Sequence, residues 1–332
     1  MFSKRTCCAV ILGMTVAGAL YSIPAVAATA RCQGQLATIV GNDRANLLRG
    51  TDHKDVIVAR AGADTIVAKM GADVICAGEG ADVISAGAGN DSINAGPGQD
   101  EVFAGAGDDV AYGNEHDDKL FGKDGSDVLE TGLSQNVRNG MDEAFGGAGD
   151  DHLIGDASLQ LLSGDEGHDL IESRGAFSAF CDCDPSHDEK VMGGEGNDKL
   201  VGGPVSSEWT EMLRLAGGPG DDTIDRGEVQ TPDGSCCGGN AVLDYSEAPA
   251  AVTVDLAASS VEGGDSDVIV GSFEGAIGSV FDDTLTGDPK DNVLYGNFGN
   301  DHVDGAEGND HLNGGEGSDS CLNGEFQVSC ES

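Results

Sequence analysis

The sequence predicts an all-β fold: a right-handed parallel β-roll, a solenoid of nonapeptide repeats with irregular loop inserts. Three observations carry that expectation. Glycine and aspartate recur every nine residues from Gly41 to Glu130 without a phase slip, and fixed self-similarity of this kind marks a solenoid. A typical turn has glycine at its fourth place, aspartate at its sixth and an aliphatic residue at its eighth, as in Ala59-Arg-Ala-Gly62-Ala-Asp64-Thr-Ile66-Val. The 332 residues include 53 glycines and a single tryptophan, with a formal charge of −42. So few large apolar side chains cannot fill a thick core, although they suffice for a thin repetitive one.

Residues 1–27 read as a secretory signal peptide. Lys4 and Arg5 provide the positive start, Cys8 to Leu20 the apolar stretch, and Ala25-Val26-Ala27 a small-residue cleavage site, with cleavage after Ala30 as the alternative. The apolar run is too short for a good membrane span. Removing Lys4 and Arg5, two positive charges, takes the net charge from −42 to −44. Nucleic acid is thereby excluded as a partner and cations are favoured. An oxidising compartment follows, so the eight cysteines that remain are expected in disulfide bonds.

Residues 28–40 form an N-terminal cap. Cys32 lies in it, and Cys76 occupies an outward ninth place, so a bridge between them would tie the cap to the roll. Residues 41–130 are ten regular turns. Residues 131–277 are an interrupted roll: good turns surround Asp151, Asp169, Asp198 and Asp222, and loops between them carry Cys181, Cys183, Cys236 and Cys237. Within this segment Ala241–Ser246 and Val252–Ala257 alternate apolar with polar residues and read as strand. Residues 278–332 are a closing roll of five turns, sealed by Cys321 and Cys330. No helix of any length is credible against this density of glycine.

A strand of about three residues followed by a six-residue glycine-rich turn reverses the chain every nine residues, so two repeats complete one coil. Eighth-place residues then point inward: Leu48, Ile66, Ile84, Val102 and Leu120 on one sheet, Ile57, Ile75, Ile93, Ala111 and Leu129 on the other. The sixth-place aspartates line the two edges. Asp64, Asp82, Asp100 and Asp118 share one; Asp55, Asp73, Asp91, Asp109 and Asp127 share the other. Carboxylates about 5 Å apart repel by roughly 0.8 kcal/mol in water and about 3 kcal/mol at an effective dielectric near 20, which opposes stacking. A Ca²⁺ between coils reverses the sign, because it takes six to eight hard oxygens from carboxylates and carbonyls. Glycine lets the loop adopt the positive φ values that such a turn needs.

These residues resemble the RTX, or haemolysin-type, calcium-binding repeat family, Gly-Gly-x-Gly-x-Asp-x-aliphatic-x. Gly146–Ile154, Gly193–Val201, Gly217–Asp225 and Gly314–Leu322 match closely, apart from Cys321 at an eighth place. The opening Cys32–Gly41 and the run ending at Cys76 also resemble secreted, repeat-only bacterial members. The resemblance implies a parallel β-roll holding several Ca²⁺ ions. The implied ligands are Asp55, Asp64, Asp73, Asp82, Asp91, Asp100, Asp109, Asp118, Asp127, Asp151, Asp169, Asp198, Asp222, Asp283, Asp301, Asp310 and Asp319.

Departures from the repeat are concentrated at a few places. Alanine holds the first place in the six turns from Ala59 to Gly107. Arg60 and Lys69 hold second places, His53 and His116 fourth places, and Asn46 and Asn292 stand where aspartate belongs. In the middle turns the partner 18 residues away is often missing.

No zinc-protease helix motif, nucleophile elbow or phosphate-binding glycine loop occurs, and the expectation is a secreted, extracellular protein that is not an enzyme. His187 and Trp209 are read as loop and packing residues. Two alternatives remain open: an adhesin or matrix protein contacting a cell-surface partner through its middle segment, and a polysaccharide-acting enzyme with Glu208, Glu211 and Asp244 as poor candidates.

Overall fold

The computed structural model describes residues 30–132, 141–155, 160–174, 189–203, 212–227, 240–263 and 266–330. The expected signal peptide, Cys181, Cys183, Cys236, Cys237, His187, Glu208, Trp209 and Glu211 lie outside the described residues. Within them the chain is all-β, with no helix. From Ile39 to Asp244, and again from Gly275, successive strands alternate between a 14-stranded and a 16-stranded sheet and pair with the strand two along rather than with their neighbour in sequence.

That alternation is the β-roll, and its register follows the nonapeptide. In the 14-stranded sheet Leu48 pairs with Ile66, Ile66 with Ile84, Ile84 with Val102 and Val102 with Leu120, all in parallel. In the other, Ile57, Ile75, Ile93, Ala111 and Leu129 form the matching column. A one-residue slip would turn every inward side chain to the outside, so burial of these columns locks the phase. Apart from the partly buried Leu48, the column residues are fully buried and fall in one core cluster shared by both sheets. Burying each contributes roughly 1.5–3 kcal/mol.

Two features differ from the expectation. Between Val56 and Asp124 the strands run for six residues, not three, as in Thr65–Met70 and Val83–Ala88. The ladder continues through the second and third places, pairing Arg60 with Gly78 and Lys69 with Gly87, and the fourth-place N–H of Gly62 donates to the carbonyl of Glu79 at 2.7 Å. In the closing roll the strands do shorten to three residues, for example Thr284–Thr286 and His302–Asp304. The first place also points inward: Ala59, Ala68, Ala77, Ala86, Ala95 and Ala104 are all fully buried. Alanine there adds a methyl group to the core that glycine would lack.

Residues 133–140, 156–159, 175–188, 204–211 and 228–239 each lie between a strand of the 16-stranded sheet and the next strand of the 14-stranded one. The 16-stranded sheet re-registers across them, pairing Leu129 with Leu153, Ile171 with Leu200 and Leu200 with Ile224. Both segments read as strand contribute, as Asn240–Asp244 and Thr253–Asp255. The second opens an antiparallel excursion through Ser260–Glu262 before parallel pairing resumes.

Both bridges expected on position are formed. Cys32 bonds Cys76 with Cα atoms 5.6 Å apart, seating the Arg31–Leu36 hairpin against Val56 and Val74 outside the main core. Cys321 bonds Cys330.

Where the fourth place is glycine, the turn leaves no room for a side chain. Gly89 has φ +133°, and a Cβ there would stand 1.8 Å from the carbonyl oxygen of Gly71 in the preceding coil. Gly89→Ala should therefore destabilise the roll by more than about 1 kcal/mol, measured by denaturant unfolding in saturating calcium. An unchanged midpoint would contradict this account of the repeat glycine.

Candidate functional site

Each sixth-place aspartate ends a turn and precedes a strand, and the tight path turns its side chain under the loop. Every aspartate singled out in the sequence is at most 5 % exposed. One carboxylate oxygen has a fixed partner. The backbone N–H of Asp64 donates to Asp82 Oδ1 at 2.7 Å, that of Asp82 to Asp100 at 2.8 Å and that of Asp100 to Asp118 at 2.9 Å. On the opposite edge Asp55, Asp73, Asp91, Asp109 and Asp127 repeat the pattern at 2.6–2.8 Å.

The other oxygen is different. Oδ2 of Asp64, Asp73, Asp82, Asp91, Asp100, Asp109, Asp118, Asp127, Asp151, Asp169, Asp198, Asp301, Asp310 and Asp319 is buried and accepts no hydrogen bond. A buried, unsatisfied acceptor costs about 1–3 kcal/mol, and more if charged. These oxygens are repeated in register and aimed into the loops, so they fit a hard cation. Among the described residues no three His, Cys, Asp or Glu side chains converge on one point. A bound ion would draw its remaining oxygens from backbone carbonyls, as Ca²⁺ accepts.

The loops take the required backbone. Where Oδ2 is open, second and fourth places lie in the left-handed region, at +114° for Gly78 and +142° for Gly80. Arg60, Lys69 and His116 are held at +88°, +86° and +82° despite their side chains. First-place glycine allows close approach: a Cβ on Gly122 would lie 2.2 Å from Asp127 Oδ2.

The middle turns were expected to lack partners, and in sequence terms they do. In space the ladder continues. The N–H of Asp127 donates to Asp151, that of Asp151 to Asp169, that of Asp169 to Asp198 and that of Asp198 to Asp222, at 2.7–2.9 Å and across separations of up to 29 residues. Two further residues extend the ladders. Asp142 accepts from the N–H of Asp118 at 2.8 Å and is fully buried; it occupies the sixth place of a degenerate turn. Asp267 accepts from the N–H of Asp222 at 3.1 Å, 45 residues away; only the following Val268-Ile269 signals it.

In the closing roll Asp283 pairs onto Asp301 and Asp301 onto Asp319, while Asn292 pairs onto Asp310. Asp244 is committed elsewhere: it accepts from the N–H of Ser246 and lies 3.8 Å from the Arg214 guanidinium.

Burial pushes these carboxyls up, partly offset by the backbone N–H that each accepts and reinforced by neighbouring carboxylates. Asp91 is raised to about 6, Asp100 and Asp109 to about 7, and Asp118 to about 9. A carboxyl raised on folding binds its proton more tightly in the folded chain, so folding is favoured at low pH and that stability is lost as pH rises through the folded values. In chelator, the melting temperature should therefore rise as pH is lowered from 8.5 to 5.5. Thermal melts that show a fall would contradict the burial of these groups.

The model of the RTX calcium-binding nonapeptide repeat matches residues 40–75, 68–102, 77–111, 94–129, 138–171, 186–204, 277–312 and 299–325, together more than half of the chain. No curated protein gave a significant match. Among the described residues no helix is long and apolar enough to cross a membrane. The matched repeats imply calcium binding, and they coincide with the turns that carry the aspartate ladders. The chain belongs to the RTX calcium-binding nonapeptide-repeat family.

Proposed function

We propose that this chain is a secreted bacterial calcium-binding solenoid that rigidifies when Ca²⁺ enters between its coils. The observation that carries the reading is the row of buried aspartate Oδ2 atoms with no donor. Without cations each coil adds another desolvated carboxylate near the last, and the thin core must offset that repulsion. With cations, carboxylates from successive coils share a positive charge and the same column becomes attractive. The proposed ligands are the sixth-place aspartates whose Oδ2 has no donor, with loop carbonyls completing each shell. Asp142 joins them from the ladder geometry.

The role is read as structural rather than catalytic. In support, Asp244, the one described candidate for sugar cleavage, is engaged by Arg214 and Ser246. A second reading, in which residues 131–277 contact a cell-surface or matrix partner, is favoured by the antiparallel excursion through Thr253–Asp255 and Ser260–Glu262, which departs from the repeated coil.

Circular dichroism during a calcium titration should report gain of β structure and a higher melting temperature, with the disulfides keeping the metal-free state partly ordered. An identical spectrum and melting temperature in calcium and in chelator would sink the proposal. Replacing Asp82 and Asp100 together by Ala should remove bound calcium in calorimetry, whereas undiminished stoichiometry would reject them as ligands.

A further inference from the structure

Not every turn leaves its sixth-place side chain open. In four turns the second-place backbone N–H folds back onto it. Asn42 donates to Asn46 Oδ1 at 2.7 Å, and Thr51 donates to Asp55 Oδ2 at 2.6 Å. Ser279 donates to Asp283 Oδ2 at 2.6 Å, and Asp288 donates to Asn292 Oδ1 at 2.7 Å. The hydroxyls of Thr51 and Ser279 add a second donor to the same carboxylates, both at 2.9 Å. Asp55 Oδ1 also accepts from Thr38 Oγ1 at 3.0 Å. Neither Asp55 nor Asp283 is among the aspartates with an unbonded Oδ2.

The backbone separates the two kinds of turn. Where Oδ2 is open, second and fourth places sit at positive φ, even when they are Arg60, Lys69 or His116. In these four turns neither place does: the second is Asn42, Thr51, Ser279 or Asp288, and the fourth is Arg44, His53, Phe281 or Lys290. The inward N–H stands where a cation would meet the carboxylate, and a donor hydrogen directed there excludes one. The side chain is satisfied without metal.

We propose that these four turns are metal-independent closures, so that Asp55 and Asp283 seal their turns by hydrogen bonding and do not bind calcium, although the repeat marks them as ligands. The placement supports this. The closures are the first two turns of the regular roll and the first two of the closing roll, so each block starts on coils that hold their shape without ions. The neighbouring turns already make the closure with an uncharged amide, Asn46 or Asn292. The far end of the central ladder is finished in the same manner: the buried Tyr245 hydroxyl donates to Asp267 Oδ2 at 3.0 Å. The proposal deepens the calcium reading and rests on it for the stoichiometry, but the closure itself can be tested without calcium.

The test uses the full disulfide-bonded chain. Bound calcium per chain is measured by equilibrium dialysis and elemental analysis for the wild type, Asp55→Asn, Asp283→Asn and Asp82→Asn. The two closure variants should retain the wild-type count, and Asp82→Asn should lose one ion or more. An equal loss in Asp55→Asn or Asp283→Asn would overturn the proposal. Hydrogen exchange in chelator reads the closure directly. The amides of Thr51 and Ser279 lie outside the strands, yet both should exchange far more slowly than free amides. Exchange of Thr51 and Ser279 at the rate of free amides would also overturn it. Should the wild type bind no calcium at all, the functional reading falls and this exchange comparison still decides whether the turns are closed.

Discussion

One carboxylate, half satisfied, sets the terms for the whole molecule. The sixth-place aspartate must lie inside the turn because its Oδ1 accepts the amide of the coil before it, and this bond helps hold successive coils at their spacing. The same burial leaves Oδ2 without a donor. A neutral amide or hydroxyl could have satisfied the position at less electrostatic cost, as Asn46 and Asn292 do. Keeping a carboxylate there ties the stability of the stack to whatever neutralises it, whether a proton or a cation.

The apolar columns and the aspartate ladders enforce the same register by different physics. Burial of Ile66 beneath Ile84 is non-directional and tolerates small shifts, whereas the amide-to-carboxylate bond does not. Together they explain how the 16-stranded sheet regains its phase after inserts of different length: Asp151, Asp169, Asp198 and Asp222 meet in sequence order although the chain between them varies. The edge where strands of the 16-stranded sheet begin keeps its ladder from Asp127 through Asp222 to Asp267. The other loses aspartate after Asp142, where the fully buried Gln160 follows in register, and regains it at Asp310 in the closing roll.

Much of this was legible in the residues, because a nonapeptide makes the same contacts in every turn. The 18-residue pairing, the inward columns, the buried aspartates and both described disulfides follow from position alone. The length of the strands did not, since second and third places were read as loop whereas Arg60 and Lys69 remain paired to the next coil. The inward face of first-place alanine was hidden because a glycine consensus carries no side chain to orient. Asp267 was hidden because its partner Asp222 is 45 residues away and no glycine flags its turn. The four closed turns do have a mark in the sequence, a polar second place with no glycine at the fourth. It is meaningful only once the direction of the second-place N–H is known.

The bond from Cys32 to Cys76 also gives the molecule a mechanical asymmetry. A pull on the two ends of the chain enters the roll at Cys32 and crosses directly to Cys76, bypassing the coils between them. At the other end the Cys321–Cys330 bond delivers the load to Cys321. The first closed turns are therefore outside the line of force. Tension acts on the stretch from Cys76 to Cys321, which holds the long inserts and most of the open carboxylates, so resistance to stretching would depend on the surrounding ions.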